Sequence, residues 1–173
     1  MSNARIIICL LRRDLRLKDN PIFHSIAQQS SNSVCTHLLP LYVFPAHQVE
    51  VSGFLSSDSA RSPYPEARSG VAGFWRCGTH RARFLAESVF DLKDSLESAG
   101  SGLVLRAGKL ADVVKDLLAG YEKDESAGKI VGLWMTGEEA VEERREEREV
   151  RSVVEGYGKE FKLFRDEKYF IDE

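Results

Sequence analysis

The chain has 173 residues, 43% of them hydrophobic and 29% charged, with a formal net charge of −3. That length suits one domain whose core needs neither disulfides nor metal, and the composition excludes wholesale disorder. The charge excludes an overall basic field for gripping a phosphate backbone, but not a local basic patch. Cys9, Cys35 and Cys77 are odd in number, far apart and without C-x-x-C spacing. They read as reduced thiols of an intracellular protein, in cytoplasm, nucleus or organelle, and not as a disulfide framework or zinc site. His24, His37, His47 and His80 make no metal-ligand pair at helical spacing. No apolar run approaches membrane-span length, and Met-Ser-Asn-Ala-Arg is no secretory signal.

The first element is an unbroken apolar run, residues 6–11, whose character suits a strand covered on both faces. A charged loop follows, with Arg12, Arg13, Asp14, Arg16, Lys18 and Asp19. Asp19 or Asn20 can then cap a helix over about 20–29, with Pro21 in its first turn, where the missing N–H costs nothing. A second strand is expected over about 36–43, with Pro40 marking an irregularity or a later start. Residues 45–73, rich in proline, glycine and serine, read as a long connection with at most a helical turn. Thr79 can cap a long amphipathic helix whose seam runs Leu85, Val89, Leu92, Leu96 and Ala99, ended by Gly100-Ser101-Gly102. A short strand at 103–105 comes next, then a helix carrying Leu110, Val113, Val114, Leu117 and Leu118. A strand at 130–135, a helix at 138–155 and a last strand at 161–164 complete the series.

The order β-α-β-α-β-α-β-α-β calls for an α/β fold: a doubly wound, five-stranded parallel sheet, Rossmann-like, with helices on both faces. With the first strand central, the strand order is 3-2-1-4-5. In such a sheet ligand clefts form at the carboxyl ends of the strands, where the charged loop after Leu11 lies. That loop contains no glycine, so it lacks the backbone nest of a diphosphate-binding turn. Gly108-Lys109 lacks the rest of a P-loop.

Arg13-Asp14-Leu15-Arg16, then Asp19-Asn20-Pro21, resembles the opening of the photolyase/cryptochrome family: an apolar strand, R-D-L-R, a short gap and D-N. Residues 78–109 follow the family's next segment in order, most closely its cryptochrome DASH branch. The matching positions are Gly78, Arg81, Phe84, Leu85, Asp91, Leu92, Gly100, Leu103, Leu105, Arg106, Gly108 and Lys109. The third block is the acidic helix after the fourth strand, where ten of the twelve residues 138–149 are charged. Most of that run reads as a solvated face with weak i,i+4 pairs, since only Ala140 and Val141 are apolar there, so water or another domain covers it.

The resemblance implies an amino-terminal antenna domain over 1–165, with 166–173 the start of an interdomain linker. It implies methenyltetrahydrofolate as the antenna cofactor, its pterin contacted by a glutamate early in the acidic helix. That residue falls on Glu142, with Glu143 the alternative register. A carboxylate there can accept two N–H bonds from an amino-pyrimidine edge. Leu11, Arg12 and Arg13 at the end of the first strand would line the same cleft. FAD, DNA contacts and light-driven repair of cyclobutane pyrimidine dimers belong, by the same resemblance, to a helical domain absent from this sequence. It implies no membrane partner. The chain alone is therefore expected to be inactive as an enzyme and to hold folate weakly, and no residue is nominated as catalytic. A non-catalytic α/β module that docks a partner protein is the alternative reading.

Overall fold

A computed structural model describes residues 4–28, 35–51, 62, 64–124 and 126–165. Among them, β1 (Arg5–Leu11), α1 (Pro21–Gln28), β2 (His37–Pro45), α2 (Thr79–Ser98) and β3 (Val104–Gly108) come first. Then follow α3 (Leu110–Lys123), β4 (Lys129–Thr136), α4 (Val141–Gly156) and β5 (Glu160–Phe164). The strands form one parallel sheet ordered β3-β2-β1-β4-β5, as the alternation of elements requires. The chain reverses direction of travel across the sheet between β1 and β4, which makes their carboxyl ends the switch point.

β1 explains why its apolar run is unbroken. Ile6, Ile8 and Leu10 face a core with Val114 and Leu118 of α3 and Val150 and Val154 of α4. Ile7, Cys9 and Leu11 face the opposite core, with Ile22 of α1 and Val89, Leu92 and Leu96 of α2. Successive side chains leave a strand on opposite faces, so a central strand with helices on both must be apolar throughout. Trp134 of β4 is buried in the second core and donates its indole N–H to Glu160 at 3.3 Å.

Several local expectations are refined. Asn20, and not Asp19, caps α1: its Oδ1 accepts the N–H groups of Ile22 (3.0 Å) and Phe23 (3.4 Å), and Pro21 is the first helical residue. Asp19 instead takes a left-handed conformation at φ 55°, one that aspartate tolerates better than most residues. Thr79 does not cap α2; the cap position is Gly78, with no side-chain bond. Pro40 sits one residue before the β2–β3 ladder begins at Leu41, where β2 is still an edge on that side. A helical turn follows β2, with the Pro45 carbonyl accepting from Gln48 and Val49. Later in the same connection, Arg68 and Trp75 pair as an antiparallel bridge around a turn closed by Gly73 at φ 68°. The last residue of the expected first helix, most of 52–63 and the expected linker at 166–173 lie outside the described residues.

The largest correction concerns the acidic helix. It starts at Val141, not 138, and its charged turns are not merely a solvated face: Glu143 and Glu147 are 7% and 8% exposed. With Val150 and Val154 they form one stripe at steps of four, three and four. The polar half of that stripe meets arginines from the β1 loop instead of an apolar partner.

Candidate functional site

The loop leaving β1 is a knot of ion pairs. Asp14, almost fully buried, accepts from Arg16 through both oxygens, Nε at 2.7 Å and Nη2 at 2.9 Å, so the turn is fixed by a bidentate fork. Arg12 points the other way, into α4. Its guanidinium reaches Glu146 at 2.9 Å and Glu147 at 3.2 Å, with only 8% of the side chain exposed. Glu147 Oε1 also accepts the backbone N–H of Glu138 at 2.8 Å, tying the β4–α4 connection into the same cluster. Arg13 pairs with Glu143 one turn earlier on α4.

Beside this clasp, at the carboxyl edge of the sheet, lies a cleft of about 570 Å³. Ala46 and His47 after β2 form one wall, and Lys109 after β3 and the first two turns of α4 another. The connection from Tyr64 to Arg76 closes it. Gly108, at φ 151°, makes that closure feasible, because an added Cβ would collide with the Tyr64 hydroxyl. Glu142 lines this cleft and is exposed, and among the described residues it has no hydrogen-bond or ion-pair partner. Glu149, further along α4, is held below the usual carboxylate range by its hydrogen bond with Lys109. His47 Nε2 stands 3.8 Å from Glu146.

A second cleft, about 270 Å³, opens on the other side of Glu146 and is lined by Arg12, Arg13, Tyr42, Phe84 and Glu143 among others. The four residues named from sequence are therefore divided. Glu142 faces the larger cleft, Arg12 and Arg13 border the smaller one, and the Leu11 side chain is packed in the core beneath the sheet edge. Glu143, the alternative to Glu142, is committed to Arg13. Sequence reasoning missed Glu146 and Glu147 as the partners of Arg12, and Tyr64, Arg68 and Arg76 as cleft wall. The spacing 143-147-150-154 was the available signal for the first pair, and nothing local marks the second group.

Parallel strands ordered 3-2-1-4-5 define a Rossmann-like α/β domain, and the cleft at its carboxyl edge falls within the roughly 300–1,000 Å³ typical of small-molecule sites. More particularly, the chain belongs to the DNA photolyase family, whose model matches residues 7–170, and it is DASH-like. It is 47% identical over 171 residues to a protein of Neurospora crassa named as a mitochondrial cryptochrome DASH, covering 99% of this chain and 23% of the relative. It is 46% identical over 173 residues to a cryptochrome DASH of Gibberella zeae, covering 100% of this chain and 24% of that one. The chain thus spans under a quarter of the length of these relatives. The fold matches a cryptochrome of Synechocystis with a TM-score of 0.68 at 20% identity, over 93% of this chain and 27% of that one. It also matches a photolyase of Sulfolobus tokodaii, described with two FAD molecules, with a TM-score of 0.61 at 22% identity, over 93% and 29%. Among the described residues no helix is long and apolar enough to cross a membrane.

Proposed function

We propose that this chain is the antenna-chromophore domain of a DASH-type cryptochrome/photolyase, and that Glu142 holds the amino-pyrimidine edge of methenyltetrahydrofolate. The observation that carries the reading is the contrast between adjacent glutamates. Glu143 is buried against Arg13, whereas Glu142 faces a cleft of about 570 Å³ with both oxygens uncommitted among the described residues. An uncommitted carboxylate at a cleft wall is what a ligand edge with two N–H donors requires. The folate would supply absorption of light. The residues of this chain bind it, orient it and shield one side of it. Residues 1–165 are the antenna domain on this reading, and 166–173 begin the linker. FAD, DNA and repair of pyrimidine dimers, or light signalling, belong to the helical domain of the longer relatives.

Absorption and fluorescence titration with methenyltetrahydrofolate tests the proposal. Saturable binding is expected, weak in this chain alone, stronger with a relative's helical domain supplied in trans, and lost in Glu142→Ala. No saturable binding in either setting overturns it. A second reading, a module that only docks a partner protein, is favoured by exposed apolar side chains. Phe74 (63%), Phe84 (72%) and Val141 (80%) stand out. Association with the helical domain that is indifferent to folate would support that alternative.

A further inference from the structure

The larger cleft is lined by equal numbers of acidic and basic side chains, and most of them are paired. Glu66 pairs with Arg68 at 2.6 Å. Glu149 pairs with Lys109 at 3.2 Å and with Arg145 at 3.3 Å, and Glu146 is taken by Arg12 at 2.9 Å. Two formal charges of the lining remain without an opposite charge among the described residues, Glu142 and Arg76. Arg76 spends one donor, its Nε, on the Arg68 carbonyl at 3.1 Å, and its terminal N–H groups have no partner among the described residues. Its own backbone N–H bonds to Ala67 at 2.9 Å, so the residue is anchored at both ends. The Arg68 guanidinium is stacked 3.9 Å over Trp75, which stiffens the turn beneath it.

We infer that Arg76 binds the carboxylate tail of the ligand whose donor edge Glu142 accepts, so that the cleft selects a molecule with N–H donors at one end and carboxylates at the other. The inference rests on the folate reading and extends it to an anionic subsite on the wall built by the connection before α2. A planar guanidinium suits a carboxylate better than a lysine would, because it can donate two parallel bonds. Glu142 and Arg76 come from different elements, the first turn of α4 and the connection before α2, so one ligand touching both would bridge the cleft. Longer glutamyl tails add carboxylates at the Arg76 end only.

The test titrates three probes into the full chain, with and without the helical domain in trans: the carboxamide of methenyltetrahydropteroate, which has neither glutamate nor a free carboxylate, methenyltetrahydrofolate, and its triglutamate. The wild type is expected to bind the triglutamate about tenfold more tightly than the tail-less probe. Arg76→Gln, with an unchanged melting curve, should abolish that gain and leave affinity for the tail-less probe as it was. Glu142→Gln should weaken all three alike. The tail-dependent gain should also shrink in high salt, since the subsite is open to solvent. Equal binding of all three probes by the wild type, or a tail-dependent gain that persists in Arg76→Gln, overturns the subsite and leaves the folate reading standing. Absence of saturable binding of every probe in both settings overturns the two together.

Discussion

Replacing Arg12 by methionine removes the cation that α4 and the β1 loop share, while keeping a side chain of similar length and apolar stem. Two carboxylates are then left behind: Glu147, whose side chain is 11% exposed, and Glu146, 29% exposed. Breaking a buried ion pair by removing one partner typically costs about 3–5 kcal/mol, because the remaining charge stays desolvated. Glu146 can turn towards water, so the lower end, about 3 kcal/mol, applies here. In a domain of this size that corresponds to a fall in Tm of roughly 6–12 °C. Urea unfolding followed by circular dichroism reads the same quantity as a shift in midpoint at constant slope. The double variant Arg12→Met with Glu147→Gln separates the pair from the rest. Glutamine keeps an oxygen to accept the Glu138 N–H, so only the stranded charge is removed. The double variant should be less destabilised than the sum of the single variants by more than about 1 kcal/mol. An Arg12→Met cost below about 1 kcal/mol, the range of exposed pairs, would refute the claim that this clasp is a buried one.

Gly108→Ala should lower Tm by several degrees, the cost of about 1–3 kcal/mol expected for overpacking. The new Cβ meets the Tyr64 hydroxyl and the Val113 side chain, and the backbone sits at φ 151°. A Tm shift under about 2 °C would mean that Tyr64 does not close the cleft there. Cys9 should be silent to thiol reagents in the folded protein, while Cys35 and Cys77, both partly exposed, react. Burial, reinforced by nearby Asp14, pushes the Cys9 thiol up to about 12 from its ordinary 9.0. The unfolded chain therefore releases that proton first, and stability should fall as pH rises from about 9 towards 12. Tyr42, raised by burial from 10.0 to about 12, acts in the same direction. Thiol counting before and after denaturation, with urea midpoints across that interval, checks both statements. Three equally reactive thiols in the native protein would contradict the assignment of Cys9 to the core.

The strands and helices were legible because their signals are local and periodic. Ile6 to Leu11 is apolar on both faces, and Val89, Leu92 and Leu96 recur at helical spacing, so each residue's neighbours in sequence announce its burial. The two buried glutamates of the acidic helix were hidden for the same reason. A glutamate whose counter-charge lies more than a hundred residues away has no local mark that separates it from a solvated one, and Glu143 and Glu147 find Arg13 and Arg12 only through the sheet. The choice between Glu142 and Glu143 was likewise beyond the sequence. Helical rotation of one residue, about 100°, turns one carboxylate to the cleft and the other to the β1 loop.

By itself, then, the sequence determined the order of elements, the parallel sheet and the family, since these follow from periodicity, chain order and short ordered motifs. Only the tertiary structure decided which charges are already paired. That is a question of distances between residues far apart in the chain, and among the described residues it leaves Glu142 and Arg76 facing the cleft without an opposite charge while Arg12 is consumed in holding α4 to the sheet.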